Sequence, residues 1–170
     1  MAESKSQDAI ALLKEDHREV EKLFKQFEEA KGDGRKEKLA RQICLELTIH
    51  SMIEEEIFYP ACQGSVEEDL IKEGYVEHDA AKLLIAEIEA GQGADDEFFD
   101  SKVKVLQEEI EHHVEEEEKP GGMFSQVRKA KLDVDALGEQ LAARKKELQA
   151  QFKVEGLPQP NLTTMDEVSI

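Results

Sequence analysis

The most constraining feature of this sequence is a helical pattern over residues 39–60 in which charged and polar residues interrupt an apolar stripe. The inward face of the pattern reads Leu39, Ile43, Leu47, His50, Glu54 and Ile57. His50 and Glu54 are four residues apart, so a helix places them on one face, about 5.4 Å apart along its axis. Burying an imidazole and a carboxylate is costly unless a partner compensates them. A metal ion is such a partner, and it requires further ligands from other helices.

Apolar residues spaced three and four apart predict three further helices of similar length. The four predicted helices run from about residue 4 or 6 to the glycines at 32 and 34, from about 35 to 59, from about 66 to 90, and from about 95 to the Pro-Gly-Gly at 120–122. Pro60 is expected to stop the second. Similar lengths and short turns predict an all-α fold, an antiparallel up-down-up-down four-helix bundle. We assign the bundle to residues 1–122, an additional C-terminal helix packing on it to 123–152, and a flexible tail to 153–170.

Each predicted helix carries one inward histidine, and two helices add an inward glutamate. The candidate metal ligands are therefore His17, His50, Glu54, His78, His113 and Glu117. A single buried histidine is most often a hydrogen-bonded core residue, but packing alone does not explain one on every helix together with two glutamates. Six ligands exceed the four of a structural zinc site and suit two ions that share carboxylates. Mixed nitrogen and oxygen ligands favour iron or manganese, although affinity order alone admits other metals.

Other side chains compete for roles at this site. His112 could replace its neighbour His113, but the apolar stripe at 103, 106 and 110 continues to 113 and favours His113. Tyr75 could line or ligate the site, although a core tyrosine with a bonded hydroxyl is the commoner case. The carboxylates of Glu77 and Asp79 could orient imidazoles from outside the ligand set.

Charge and cysteine content restrict the partners and the compartment. The chain has 40 acidic and 22 basic residues, for a net charge of −18. Nucleic-acid binding needs clustered lysine and arginine, so neither nucleic acid nor an anionic membrane is expected as a partner. Cys44 and Cys62 lack CxxC spacing, which indicates reduced thiols. We see no signal peptide and no apolar run long enough to span a bilayer, and therefore expect a cytoplasmic protein.

The ligand pattern resembles the hemerythrin-like, or HHE cation-binding, family over roughly residues 8–125. The segments that carry the resemblance are 13–17, 50–60, 77–78 and 113–117, of which the second is highly specific. The resemblance implies a non-haem di-iron site in a four-helix bundle, with an oxo or hydroxo bridge between the irons. It implies Glu54 and Glu117 as bridging carboxylates. The implied terminal ligands are His17 and His50 on one iron and His78 and His113 on the other.

One position departs from the oxygen-carrying hemerythrins, which have another histidine one turn after the position of His78. Lys82 stands there in this sequence. The departure implies that one iron loses a nitrogen ligand and gains an open position, a water or a substitute, so reversible oxygen carriage is not expected. A set of four histidines and two glutamates is similar to that of the iron–sulfur-cluster repair di-iron proteins, although their cysteine-bearing N-terminal domain has no counterpart in the sequence.

These patterns lead to two competing expectations for function. In the first, a monomer or homodimer holds two iron ions that interact with a small oxidant, which is oxygen, peroxide or nitric oxide. Catalase-like or peroxide-reducing activity is the candidate reaction, and no redox partner is identified. In the second, the protein is an iron reservoir, donor or sensor without turnover. A structural bundle with hydrogen-bonded core histidines is the third and simplest interpretation.

Overall fold

The computed structural model describes residues 7–91 and 93–166 of the 170-residue chain. Every regular element within these residues is helical, in the order α1 (Ala9–Glu29), α2 (Asp33–Ile53), a π-helical turn (Glu54–Phe58), α3 (Tyr59–Cys62), α4 (Glu68–Ala90), a 3₁₀ turn (Gly93–Asp95), α5 (Phe99–Glu118), α6 (Met123–Lys129) and α7 (Val134–Glu155). Helix α1 packs against α2, and α4 packs against α5. The predicted all-α bundle with an additional C-terminal helix is confirmed.

Helix α1 begins at a side-chain cap. Asp8 precedes the helix in an extended conformation, and its carboxylate accepts a hydrogen bond of 2.8 Å from the Ala11 N–H. This bond satisfies one of the backbone donors that the first turn of a helix leaves without a partner. The start predicted near residue 4 or 6 lies outside the described residues.

The apolar core has two parts, and the histidine level lies between them. One part contains Leu13 of α1 and Ile53 of α2 together with the buried side chains of α6 and α7. The other contains Val20 of α1 and Leu47 of α2 with side chains of α4 and α5. His17 follows Leu13 by one turn and precedes Val20, so the polar layer replaces one level of the core.

Pro60 does not end the second helix, which corrects the sequence-based prediction. The backbone passes from α2 through the π-helical turn and continues as α3 to Cys62. Within the π-helical turn, the Tyr59 N–H donates to the Glu54 carbonyl oxygen, five residues earlier. Pro60 follows in the first turn of α3, a position where a proline's missing N–H costs little.

The C-terminal part contains two helices where the sequence pattern predicted one. Helices α6 and α7 are separated at residues 130–133, where Lys131 has a φ of 57°. Asp133 then caps α7 by accepting a hydrogen bond of 3.0 Å from the Ala136 N–H. Helix α7 packs across α1 and α2, and α6 packs against α5. The division into a bundle, a packing helix and a flexible tail stays a prediction.

Two findings bear on the predicted compartment. Cys44 and Cys62 are both buried free thiols. Burial and the nearby carboxylates of Glu54 and Glu117 raise the pKa of Cys62 to about 12, so it stays protonated. Across residues 7–91 and 93–166, each helix is too short or too polar to cross a membrane. The cytoplasmic location stays a prediction.

Gly138 lets α7 approach the start of α1 closely, and this contact can be tested. A Cβ atom added at Gly138 would lie 2.1 Å from the Gln7 carbonyl oxygen and 2.9 Å from the Ala9 nitrogen. Overpacking of this kind costs about 1–3 kcal/mol, more than the roughly 0.5–1 kcal/mol that alanine gains over glycine in a helix. We expect Gly138→Ala to lower the free energy of unfolding by about 1–2 kcal/mol in urea denaturation.

Gly34→Ala is the matched control, because a Cβ there would have no neighbour within 4 Å among the described residues. Its stability should stay unchanged or rise slightly. Equal unfolding midpoints for the two variants would contradict the close approach of α7 to α1.

Candidate metal centre

The six predicted ligands come together in the middle of the bundle. They lie on α1, α2, the π-helical turn, α4 and α5, and all six are buried: His17, His50, Glu54, His78, His113 and Glu117. The ring centroids of His17 and His50 are 5.0 Å apart, and those of His78 and His113 are 4.8 Å apart. The helices therefore deliver four imidazoles and two carboxylates to one level of the core.

The ligands form two groups of three, each with the spacing of a metal site. One group is His17, His50 and Glu117, and the other is Glu54, His78 and His113. Within each group, one donor atom per residue lies within 4.8 Å of the others. Each group offers two imidazole nitrogens and one carboxylate oxygen, a donor set that suits a transition metal.

Both carboxylates reach imidazoles of both groups. The Oε1 atom of Glu54 lies 2.5 Å from His50 Nε2 and 3.7 Å from His78 Nε2. The Oε1 atom of Glu117 lies 3.1 Å from His17 Nε2 and 3.5 Å from His113 Nε2. The two glutamates thus lie between the groups, where a carboxylate can contact two ions at once.

Several of these buried donor atoms make no hydrogen bond of acceptable geometry among the described residues, even where they lie close to one another. They are His17 Nε2, His50 Nε2, both carboxylate oxygens of Glu54, and Glu117 Oε1. Buried polar atoms are nearly always satisfied, and leaving one unsatisfied costs about 1–3 kcal/mol. Because they converge on one level, bound cations would satisfy them together. The residues present therefore fit a metal site.

The electrostatics of the site also call for positive charge. Burial lowers the pKa of His50, but the carboxylates of Glu54 and Asp16 raise it more, to about 10. Burial and the adjacent Glu54 carboxylate raise the pKa of Glu117. Without a cation, the proton that His50 retains balances part of this negative charge. A metal ion supplies the same positive charge and leaves the imidazole nitrogens free to bind it.

Each imidazole turns its other nitrogen, Nδ1, toward a second carboxylate farther from the centre. The four pairs are His17 with Glu118 at 2.7 Å, His50 with Asp16 at 3.0 Å, His78 with Glu55 at 3.3 Å, and His113 with Glu77 at 3.4 Å. We call Asp16, Glu55, Glu77 and Glu118 the outer carboxylates. Such partners fix the orientation of a metal-binding imidazole and raise its basicity.

The outer carboxylates share a position in the sequence that could have identified them. Of the four, only Glu77 was proposed from the sequence as a partner of an imidazole. Each is the chain neighbour of one candidate ligand and serves a ligand on another helix. Asp16 adjoins His17 and serves His50, for example, while Glu55 adjoins Glu54 and serves the imidazole of α4. An acidic residue beside each inward ligand is the signal that could have identified them.

The structure also separates the competing candidates. His113 is buried in the site, whereas the side chain of its neighbour His112 is 66% exposed. Tyr75 does not reach the donor atoms, and its ring packs edge-on against Tyr59 with centroids 5.1 Å apart. It is Tyr59, which the sequence analysis did not propose, that places its hydroxyl 3.3 Å from His78 Nε2.

Comparison with known proteins agrees with this geometry. A family model described as the hemerythrin HHE cation-binding domain matches residues 8–120. This chain belongs to that family. Membership implies metal binding, with iron as the metal, and confirms the resemblance drawn from the sequence. A crystal structure of an HHE cation-binding domain-containing protein from Mycobacterium kansasii is similar in fold, with a TM-score of 0.71 and 24% identity over 89% of this chain and 95% of the other.

Another similar protein is named for an activity on DNA. A DNA nickase from Nostoc sp. (strain PCC 7120) is 30% identical over 122 residues, which cover 72% of this chain. The match spans only 33% of that protein. The chain therefore corresponds to about a third of the nickase, and the similarity does not assign the nickase's activity to it.

Lys82, at the position where the sequence departs from the pattern expected for oxygen-carrying hemerythrins, is bonded to groups other than the imidazoles. Its ammonium group donates to Glu55 at 3.1 Å, Asp79 at 3.2 Å and the Asn161 carbonyl oxygen at 2.9 Å. Lys82 thus links an outer carboxylate to the chain beyond α7. It does not act as a ligand in this arrangement.

Asp79 anchors the C-terminal segment, which we define as residues 157–166. Its buried carboxylate accepts hydrogen bonds from the backbone N–H groups of Thr163, Thr164 and Met165 and from the Thr164 hydroxyl, at 2.6–3.1 Å. Although burial raises the pKa of Asp79, these donors lower it to about 2. The suggested role of Asp79 in orienting an imidazole is replaced by this anchoring contact.

A small cavity borders the site on the side of Lys82. It has a volume of about 30 Å³, and all four site histidines line it together with mostly apolar side chains, among them Val20, Leu47, Ile85 and Ile110. Ser51, Lys82 and Ile85 line both this cavity and a wider groove of about 750 Å³ beneath the C-terminal segment. The groove and the cavity are therefore adjacent, with these three side chains between them.

The Asp79 anchor yields a direct prediction. Replacing Asp79 by Asn removes the charge that holds four donors and should weaken docking of the segment by about 1.5–3 kcal/mol. This loss corresponds to a roughly 10- to 150-fold increase in the fraction of molecules whose C-terminal segment is undocked. The rate of limited proteolysis is proportional to that fraction. We expect a non-specific protease to cleave residues 157–166 faster by a similar factor, as measured by mass spectrometry.

Asp69→Asn, an exposed position on the same helix, is the control and should leave the cleavage rate unchanged. Identical cleavage rates for the Asp79 variant and the unmodified chain would rule out the anchoring role.

Proposed function

We propose that this chain binds two iron ions and reacts with, or reversibly holds, a small oxidant. The observation that carries the proposal is the position of Glu54 and Glu117, whose Oε1 atoms each lie within 3.7 Å of imidazoles of both ligand groups. Glu54 and Glu117 would bridge the ions, His17 and His50 would bind one, and His78 and His113 the other. An oxo or hydroxo bridge between the ions belongs to the same proposal.

Iron is the metal that the family and the donor set favour together. Nitrogen and carboxylate ligands suit iron and manganese. Six ligands divided between two ions, with only the two glutamates bridging, leave coordination positions for a substrate. When bound, the two ions supply redox chemistry and polarise the oxidant. The chain's own residues hold the imidazoles through the outer carboxylates and exclude bulk water with the apolar cavity wall.

The size of the cavity limits the ligand. A volume of about 30 Å³ holds one or two water-sized molecules, since one water needs roughly 10–15 Å³ on this measure. Oxygen, nitric oxide and hydrogen peroxide fit such a space, and larger organic substrates do not. This limit favours a small oxidant over an organic substrate as the reacting molecule.

Glu117→Gln tests the ligand assignment. The amide keeps the shape of the side chain but removes the charge that lies between the groups, so iron affinity should fall by at least about tenfold. We expect fewer than two irons per chain by elemental analysis and a weaker near-ultraviolet absorption of the oxidised protein. Glu115→Gln, two residues earlier on the exposed side of α5, should retain iron and spectrum. Full iron loading and an unchanged spectrum in Glu117→Gln would count against the assignment.

A second candidate function is an iron reservoir, donor or sensor without turnover. The specific observation in its favour is the contact between the C-terminal segment and the site. The Thr163 hydroxyl donates to Glu55 at 2.8 Å, and Glu55 pairs with Nδ1 of His78. Metal binding at His78 can thus change the docking of the segment, which could report iron to a partner.

Peroxide consumption separates these two functions. For the enzyme, we expect the iron-loaded chain to consume hydrogen peroxide faster than the same amount of free iron. Glu117→Gln should reduce the rate to the level of free iron, because the variant loses the metal. A chain that shows no turnover above free iron, but whose C-terminal segment becomes protease-resistant only with iron, would instead be a reservoir or sensor.

We propose further that the chain does not act on DNA, despite the name of its Nostoc relative. A net charge of −18 opposes contact with the phosphates of DNA. The site described above consists of histidines and carboxylates and does not depend on a cluster of basic residues. Two thirds of the nickase lies outside the match and can carry its activity. The monomeric or homodimeric state stays a prediction.

A further inference from the structure

The hydroxyl group of Tyr59 lies among the candidate ligands. Tyr59 is fully buried, and its Oη atom is 3.3 Å from His78 Nε2, 3.4 Å from His113 Nε2 and 3.5 Å from Glu117 Oε2. Normal hydrogen bonds of a hydroxyl to oxygen are about 2.5–3.0 Å long. The phenol oxygen is therefore close to several acceptors yet makes no hydrogen bond of ordinary length with them.

Three of these atoms have the spacing of ligands around a single ion. The distances between Tyr59 Oη, His78 Nε2 and His113 Nε2 are 3.3, 3.4 and 3.3 Å, nearly an equilateral triangle. Donor atoms about 2.1 Å from one ion lie roughly 3.0 Å apart at right angles and about 3.4 Å apart at tetrahedral angles. The phenol oxygen thus occupies a ligand position of the group that contains His78 and His113.

Two local features bring the hydroxyl to this point. In a regular α-helix, residues five apart point about 140° away from each other, so Glu54 and Tyr59 could not both face the site. The π-helical turn between them widens the backbone by one residue and directs both side chains inward. On α4, Gly74 leaves space for the phenol, because a Cβ there would lie 2.7 Å from the Tyr59 oxygen.

We propose that Tyr59 is a metal ligand, whose phenolate oxygen binds the ion held by His78 and His113. It replaces, from the start of α3, the nitrogen that oxygen-carrying hemerythrins supply at the position of Lys82. When the oxygen–metal bond forms, the phenol proton passes to solvent and no electron is transferred. This proposal rests on the proposed function, because it requires an ion in that group.

The ring is held in place for this role. It stacks on the His78 imidazole with centroids 5.3 Å apart and planes 18° apart, and Tyr75 packs against its other side. The position that Lys82 leaves open is therefore filled by an oxygen donor with a fixed orientation. A hard, anionic oxygen ligand favours the ferric state of iron over the ferrous state.

Spectroscopy of the iron-loaded chain tests the proposal. Iron per chain is measured first by elemental analysis, and the protein is then oxidised to the ferric state. A phenolate bound to ferric iron gives a charge-transfer band in the visible region, and excitation in that band enhances phenolate ring modes in the resonance Raman spectrum. We expect both signals in the unmodified chain, in addition to its near-ultraviolet absorption.

Three variants make the assignment specific. Tyr59→Phe removes one oxygen atom and should abolish the visible band and the ring modes, with at least about tenfold weaker binding of one iron. Tyr75→Phe removes the chain's other tyrosine hydroxyl and should keep both signals. Gly74→Ala keeps the phenol but displaces its oxygen, and it should weaken the band while the near-ultraviolet absorption persists.

The outcomes distinguish this proposal from the proposed function. Fewer than two irons on the unmodified chain would overturn the di-iron function. If the iron that does bind also gave no ferric phenolate band, the ligand role of Tyr59 would be overturned as well. Two irons without a visible band, or a band that survives in Tyr59→Phe, would overturn the ligand role alone. In that case Tyr59 would be a core residue beside an intact di-iron site.

Discussion

The burial of six polar side chains at one level of an apolar bundle is the constraint on which this structure depends. Replacing a layer of leucines by four imidazoles and two carboxylates removes hydrophobic stabilisation and adds a desolvation cost. The chain offsets this cost by arranging charge in layers from the centre outward. The inner carboxylates and Nε2 atoms face the two candidate metal positions, and each Nδ1 atom faces an outer carboxylate. Three outer carboxylates in turn meet a cation: Asp16 with Lys145, Glu55 with Lys82, and Glu118 with Arg18.

This layering explains why elements outside the four-helix bundle matter to the site. Lys145 is on α7, so the additional helix contributes a charge to the Asp16–His50 pair as well as apolar packing. The C-terminal segment similarly reaches the centre through Lys82, Asp79 and Glu55. The outer carboxylates that orient His50 and His78 are therefore themselves held by contacts from α7 and from the C-terminal segment. A bundle truncated after α5 would lose part of the support for His50 and His78.

Periodicity predicted the bundle and its inward residues because those features repeat every three or four positions. The buried positions of His17, His50, His78 and His113 follow directly from that repeat. Tyr59 could not be found in the same way, because the π-helical turn shifts the repeat by one residue after Glu54. The continuation of the helix past Pro60 was missed because a proline inside a helical pattern ordinarily ends the helix, whereas Pro60 lies in the first turn of α3, where its missing N–H costs little. The partners of the imidazoles and of Asp79 depend on contacts between distant helices, which spacing along one helix does not describe.

The π-helical turn also has a consequence for how such centres diverge. If this turn adopted regular α-helical bonding at its present length, the side chains that follow would rotate by about 100° relative to Glu54, and the phenol would leave the interior. Deleting one of the four residues between Glu54 and Tyr59 would also restore regular bonding, but the two side chains would then be four residues apart and both would still face the site. Membership of the donor set is thus governed by backbone geometry as well as by residue identity. A single-residue insertion at this point is compatible with an oxygen donor only where a wider turn absorbs it, even when every histidine and glutamate stays in place.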